Sequence, residues 1–287
     1  MSLLVKNLVH LYEGGNSGLK GVDLTIERGR KFVLLGANGA GKTTLLLHFA
    51  GVLKPQKGSI FLDGAPLNYT RQGLIALRSR LCLVFQDPDD QLFAPTVFQD
   101  VSFGPLNLGL DTDVVRRRVE ASLAALDIED LSNRPTCLLS WGQKKKVAIA
   151  GALAMEPEYL VLDEPTAGLD MEGTDSLLAV LDLLAQRGTT LIISTNDTEF
   201  AFGFADEAAV LADGRTVRQG APEDVLSDGS ALSNGCLRMP LVLEVGQYLR
   251  HCHLTTGSLP RQRHQLMAAL KAAFVLAPGE EIKAVVR

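Results

Sequence analysis

Residues 36–44 read Gly36-Ala37-Asn38-Gly39-Ala40-Gly41-Lys42-Thr43-Thr44, the GxxxxGK[ST] spacing of a phosphate-binding loop. Glycines at this spacing let backbone N–H groups converge on phosphate oxygens, and a helix that follows adds the positive end of its dipole. Lys42 is expected to reach the outer phosphates, with the Thr43 hydroxyl on Mg²⁺. Average residue frequencies give a chance match in a chain of this length a probability of about 1%, so an ordinary Gly-rich turn explains it poorly. A second chemical group lies downstream, where the apolar run Tyr159-Leu160-Val161-Leu162 ends in Asp163 and Glu164. Two carboxylates at a strand end suit metal-dependent phosphoryl transfer. Asp163 would hold Mg²⁺ through water, and Glu164 would orient or activate the attacking water. Taken alone, two solvated acids at a strand end would explain the pair equally well. Beside the phosphate loop the functional reading prevails, and together the two groups predict a nucleoside triphosphate site.

The elements that must hold these groups follow from hydrophobic patterning. Lys31–Leu35 reads as a buried strand before the loop, and Leu45–Ala50 continues as a helix after it. Strands are expected at Leu3–Val9 and Val22–Ile26, joined by a turn at Glu13-Gly14-Gly15-Asn16. Further strands are expected at Ser59–Leu62, Leu81–Phe85, Tyr159–Leu162, Thr189–Ser194, Ala208–Leu211 and Thr216–Arg218. Val115, Val119, Leu123 and Leu126 share one face of a helix over 112–127, and two more helices are expected at Gly142–Met155 and Glu172–Arg187. Alternating strands and helices with a phosphate loop predict an α/β fold with a mainly parallel sheet. The mostly helical block from about 90 to 155 reads as an inserted subdomain. The small polar run 227–235 reads as a linker, dividing the chain into residues 1–228 and a helical extension, 229–287. In that extension one helix carries Leu241, Val245, Tyr248 and Leu249, and another carries Leu266, Leu270 and Phe274. So short a tail must pack on the main domain or on another subunit.

Composition narrows the partners. Across 287 residues, 46% are hydrophobic, 21% are charged and the net charge is −5, which argues against nonspecific nucleic-acid binding. Arg116-Arg117-Arg118 and Lys144-Lys145-Lys146 read as solvated helix faces rather than nucleic-acid contacts. Four dispersed cysteines suggest neither zinc nor a disulfide framework. The five histidines lack a metal-site spacing, and His251-Cys252-His253 reads as a packed or solvated tail. No signal peptide opens the sequence and no run of about 18 apolar residues could cross a bilayer, so a membrane role would come through a partner.

Leu139-Ser140-Trp141-Gly142-Gln143, upstream of the carboxylate strand, resembles the LSGGQ signature of ATP-binding cassette ATPases. Gln86 resembles the family's Q-loop glutamine, Ala167-Gly168-Leu169-Asp170 its D-loop, and Tyr12 the aromatic that stacks on adenine. The resemblance covers residues 1 to about 225 in family order. It implies an ABC-type cassette fold with a mixed sheet core and an inserted helical subdomain, working as an ATP-sandwich dimer. Gly36, Asn38, Gly39, Ala40, Gly41, Lys42, Thr43 and Thr44 would bind ATP, with Thr43, Gln86 and Asp163 around Mg²⁺ and Glu164 in catalysis. Ser140 and Gly142, with Gln143 and Asp170 beside them, would close over the γ-phosphate held by a second copy of the chain.

Gln86-Asp87-Pro88-Asp89-Asp90-Gln91-Leu92-Phe93 extends the Q-loop. With Ala94-Pro95-Thr96-Val97 and Phe103–Leu110, it resembles energy-coupling factor importers, nearest to the ATPase subunit of cobalt or nickel uptake systems. There the 86–93 segment would contact a transmembrane coupling subunit at the cytoplasmic face of the membrane. The tail after 229 resembles a dimerising extension. Three departures stand out. Asn196 in Ser194-Thr195-Asn196-Asp197 occupies the position of the family's switch histidine; it can still donate a hydrogen bond to the γ-phosphate but cannot take up a proton or a positive charge. Trp141 replaces the first signature glycine, and Lys146 stands where arginine is usual. Asn196 leaves two alternatives open: a transport ATPase with Glu164 carrying catalysis, or an ATP-gated dimerising module with slow or no turnover.

Overall fold

The computed structural model describes residues 2–12, 17–255 and 257–275. Strands β1 (Ser2–Leu11) and β2 (Ser17–Glu27) pair antiparallel, and both are longer than expected. The turn expected at 13–16 lies outside the described residues. β3 (Lys31–Leu35) runs into the phosphate loop, which opens α1 (Lys42–Phe49). β4 (Lys57–Leu62) pairs with β1, and the two-residue β5 (Ala65–Pro66) completes a four-stranded antiparallel sheet.

α2 (Arg71–Arg78) is capped by Thr70, and it buries only Leu77, which is why no apolar periodicity announces it. β6 (Leu81–Val84) leads through a 3-10 turn at Pro88–Asp90 to the helical block, made of α3 (Val97–Asn107), α4 (Thr112–Ala125) and α5 (Trp141–Ala154). α3 was hidden in the sequence because Gly104-Pro105 sits inside it and reads as a helix breaker. The expected stripe on α4 is correct: Val115, Val119, Leu123 and Leu126 are all buried.

β7 (Tyr159–Asp163), α6 (Met171–Gln186), β8 (Thr190–Thr195), α7 (Thr198–Phe204), β9 (Glu207–Ala212) and β10 (Arg215–Gly220) follow. They complete a six-stranded sheet in the order β10-β9-β3-β8-β7-β6, parallel throughout except for the β9–β10 edge. Alternation along its strands feeds two cores. Val33, Leu35, Leu160, Leu162, Leu191 and Ile193 face the helical block and α6. Phe32, Leu34, Tyr159, Val161 and Ile192 face α1 and the antiparallel sheet. Because β3, β8 and β7 are adjacent and parallel, the strand ends that carry Leu35, Thr195 and Asp163 meet at one end of the sheet, and there the site is built.

Beyond α8 (Pro222–Leu226), the run read as a linker is folded. Asp228 caps α9 (Gly229–Asn234), and Ala231 and Leu232 are buried. Its small residues therefore serve a tight helix end rather than a flexible joint. α10 (Leu241–His251) buries Val242, Leu243, Gly246 and Leu249, while Leu241 and Tyr248 stay 61% and 66% exposed, so its inward face is offset from the expected one. α11 (Arg263–Val275) buries Leu266, and Arg261 just before it donates to the Phe202 carbonyl at 2.9 Å. No helix among the described residues is long and apolar enough to cross a membrane.

Candidate functional site

The structure sorts the predicted residues into two separate clefts. The first, of about 410 Å³, is bordered by Tyr12, the phosphate loop from Ala37 to Thr44, Gln86, Asp163 and Glu164. The second, of about 530 Å³, is bordered by Ser140, Gly142, Gln143, Gly168, Asp170 and Lys146.

In the first cleft the loop's curvature is fixed by glycine. Gly41 has φ +105°, and a Cβ there would lie 2.5 Å from the Gly18 carbonyl oxygen. Gly36 needs its bare backbone for a different reason, since a Cβ would meet the Leu211 carbonyl oxygen of β9 at 2.4 Å. The buried Lys42 ammonium donates to the Gly36 carbonyl at 2.7 Å and to Ala37 at 3.3 Å, and lies 3.6 Å from Glu164 Oε1. Ala40 is buried in the loop, and its carbonyl accepts from Gly214 N. Tyr12 is 43% exposed, with its hydroxyl 2.8 Å from Thr44 Oγ1, so a ring face stands beside the loop.

Asp163 is held from two sides. The Thr43 hydroxyl donates to Asp163 Oδ2 at 2.6 Å, and Ser194 Oγ bonds Asp163 Oδ1. Parallel pairing of β7 with β8 puts Ser194 directly opposite Asp163. The sequence motif alone did not single out Ser194; that register is the signal that finds it. Glu164 adopts φ +45°, a left-handed conformation that is costly for a non-glycine residue, and its N–H donates to the Ser194 carbonyl at 3.1 Å. This turn directs the Glu164 carboxylate toward Lys42 instead of continuing the strand. The Thr43 hydroxyl and the Asp163 carboxylate are hard oxygen donors that converge, with Gln86 bordering the same space, and this set fits Mg²⁺.

In the second cleft Ser140 caps α5. Its hydroxyl accepts from Gln143 N at 3.3 Å while Gln143 Oε1 accepts from Ser140 N at 3.0 Å, a reciprocal capping box. The rest of the helix's N-terminal dipole points into the cleft. Asp170 caps α6 by accepting from Gly173 N at 2.8 Å. Trp141 packs against Gly168, where a Cβ would fall 2.3 Å from the indole. A large residue at the first signature position is therefore accommodated by a glycine across from it. Asn196 is exposed just past β8 and borders neither cleft.

One sequence expectation fails clearly. Lys145, read as part of a solvated helix face, is completely buried. Its ammonium donates to the carbonyls of Phe85 and Gln86 at 2.9 Å each and of Asp163 at 3.3 Å. Burial pushes the ammonium down to about 8, against the opposing fields of Asp163, Glu164 and Asp87. Its neighbours are also engaged: Lys144 pairs with Asp89 at 2.6 Å and Lys146 donates to the Leu126 carbonyl at 3.1 Å. A basic triplet on a helix points in three directions, and the sequence does not say which one faces inward. In the other triplet Arg116 and Arg117 are exposed, as expected, while Arg118 pairs with Glu156.

Comparison with known proteins agrees with this geometry. A family model described as ABC transporter matches residues 19–167. A cobalt import ATP-binding protein, CbiO, of Rhodobacter capsulatus is 48% identical over 93% of this chain and 96% of its own length. An energy-coupling factor transporter ATP-binding protein, EcfA, of Methanocaldococcus jannaschii is 46% identical over 85% of this chain and 88% of its own. The solved structure of cbiO1 from Clostridium perfringens, described as part of the ABC transporter complex cbiONQ, superposes with a TM-score of 0.70 at 43% identity, covering 85% of this chain and 98% of that one. The chain belongs to the ABC transporter family, among its ATP-hydrolysing subunits of the energy-coupling factor and cobalt-import type.

Proposed function

We propose that this subunit powers import of cobalt or nickel ions through a separate transmembrane partner at the cytoplasmic face of the membrane, working as a homodimer that closes on two ATP molecules. The observation that carries this reading is the separation of the two clefts. One has the phosphate loop with Lys42, the metal-type oxygens and Glu164; the other has the N-terminus of α5 beside Asp170 and Lys146, without a phosphate loop. Neither half is a complete phosphate site, and a second copy supplies the missing half to each.

In that arrangement Tyr12 stacks on adenine, and the loop N–H groups of Asn38, Gly39 and Gly41 with Lys42 hold the phosphates. Thr43, Asp163 and Gln86 would hold Mg²⁺, which neutralises charge on the phosphate oxygens. Glu164, turned toward the cleft by its left-handed backbone, orients the attacking water. Ser140, Gly142 and Gln143 of the other copy close on the γ-phosphate, with that copy's Asp170 beside them. The 86–93 segment, with Phe93 65% exposed beside Phe103, faces the transmembrane partner. The extension after 229 contributes to dimerisation, with Leu241 and Tyr248 outward.

A second reading is favoured by one residue. Asn196, exposed at the end of β8, would make this an ATP-gated dimer with slow turnover. The transport reading is tested by expressing the chain with candidate membrane subunits. Co-purification of one complex that takes up Co²⁺ or Ni²⁺ in an ATP-dependent way is expected. Failure to join any membrane subunit would overturn it.

A further inference from the structure

Among the described residues Lys145 is the most deeply enclosed charge outside the two clefts, and its place there calls for an explanation. Taking an ammonium out of water costs several kcal/mol unless every donor is matched. Here the match is complete: three N–H donors meet three carbonyl oxygens, those of Phe85, Gln86 and Asp163. The indole of Trp141, one turn earlier on α5, lies 5.7 Å away. A core that needed only apolar filling at this position would be served by leucine or methionine. What the ammonium adds is a hydrogen-bonded joint between three segments: α5, the loop after β6, and the end of β7.

Two of the three carbonyls belong to residues whose side chains enter the nucleotide cleft. Gln86 and Asp163 both border it, and Asp163 carries the carboxylate held by Thr43 and Ser194. Lys145 itself does not border the cleft. It fixes the backbone from which those two side chains project, and it does so from the helix that Ser140 caps. Lys144 reinforces the joint by pairing with Asp89 in the segment that follows Gln86.

We propose that Lys145 is a positioning residue of the ATP site: its ammonium ties the signature helix to the backbones of Gln86 and Asp163 and so sets the placement of the metal-facing side chains. This rests on the nucleotide-site reading given above. The joint acts first on the metal-facing side chains: its three bonds go to the backbone of Phe85, Gln86 and Asp163, and Asp163 meets the phosphate loop through the Thr43 hydroxyl, itself one of the metal-facing groups. Loss of it therefore leaves metal-free nucleotide binding intact and weakens the contribution of Mg²⁺.

The test measures the affinity of the full chain for trinitrophenyl-ATP by fluorescence, first in EDTA and then in Mg²⁺. It compares the wild type with Lys145→Met and with Arg118→Met, which removes the ion pair to Glu156 at the far end of α5. Lys145→Met is expected to bind as tightly as the wild type in EDTA, and to lose about 10–100-fold of the affinity gained on adding Mg²⁺. Its kcat for ATP is expected to fall by a similar factor. Arg118→Met is expected to keep the full Mg²⁺-dependent gain. An undiminished gain in Lys145→Met overturns the proposal. So does an equal loss in EDTA and in Mg²⁺, or the same loss in Arg118→Met, because either assigns the effect to general loosening of the helix. If the wild type binds no nucleotide, it is the nucleotide-site reading that fails instead.

Discussion

The two clefts differ in how they are held together. Around the phosphate loop, each functional side chain is fixed by a residue far away in sequence: Lys42 by Glu164, Asp163 by Thr43 and by Ser194, Tyr12 by Thr44. Around the signature, the contacts are local, with Ser140 and Gln143 three residues apart and Asp170 bonded to Gly173. The first half is a tertiary construction that positions charges; the second is a helix end presenting backbone dipoles. On the proposed reading, a first half that carries the charges and a second half that closes on the bound nucleotide suit a dimer in which closure completes the site.

The comparison can be broken most severely at Glu164. Glu164→Gln keeps the side chain's size and removes the carboxylate, so turnover should fall by about 10²–10⁴-fold while ATP binding persists; phosphate release and nucleotide binding measured side by side would show it. Unchanged hydrolysis would remove chemistry from the first half. Next in size is Asn196→His, which places a group able to carry charge just past β8, a position that closure of the proposed dimer would bring to the γ-phosphate. Its turnover should rise by about 10²-fold if that position stabilises the transition state. An unchanged rate would mean that Glu164 suffices and that slow turnover is not the chain's output.

Acid separates the halves more gently. His48 is buried on α1, behind the phosphate loop, and burial, with His10 beside it, pushes its imidazole down to about 4 from its ordinary value of 6.5. A group that binds protons more weakly when folded favours the unfolded chain as they are added, so stability falls as pH drops from about 6.5 towards 4. Thermal unfolding of the wild type should show this loss, and His48→Phe should flatten it. A wild type as stable at pH 5 as at pH 7 would contradict the burial argument.

What could be read in advance follows the same division. The signature, the phosphate loop and the α4 stripe are local patterns, and they were legible. The contacts of Ser194 and Lys145 depend on which strands lie side by side and on which lysine of three faces inward, so they became visible only in the fold. The left-handed turn at Glu164 left no mark in a sequence where glycine would be the usual clue. On α10, apolar residues at 241, 242, 243 and 245 permit more than one inward face, and packing against α7 and Leu259-Pro260 chose Val242, Leu243, Gly246 and Leu249. The run 227–235 looked like a joint because its residues are small, whereas Asp228 turns them into a capped helix.

The most direct measurement mixes two inactive variants. Lys42→Ala disables the phosphate-loop half, and Ser140→Arg blocks the signature half. If each ATP is closed between the loop of one chain and the signature of another, every mixed dimer contains one site built entirely from unaltered residues. ATPase activity should then appear in the mixture although each variant alone is inactive, and a chain carrying both changes should contribute nothing when paired with either single variant. A mixture as inactive as its parents would place both halves of the site within one chain and contradict the account.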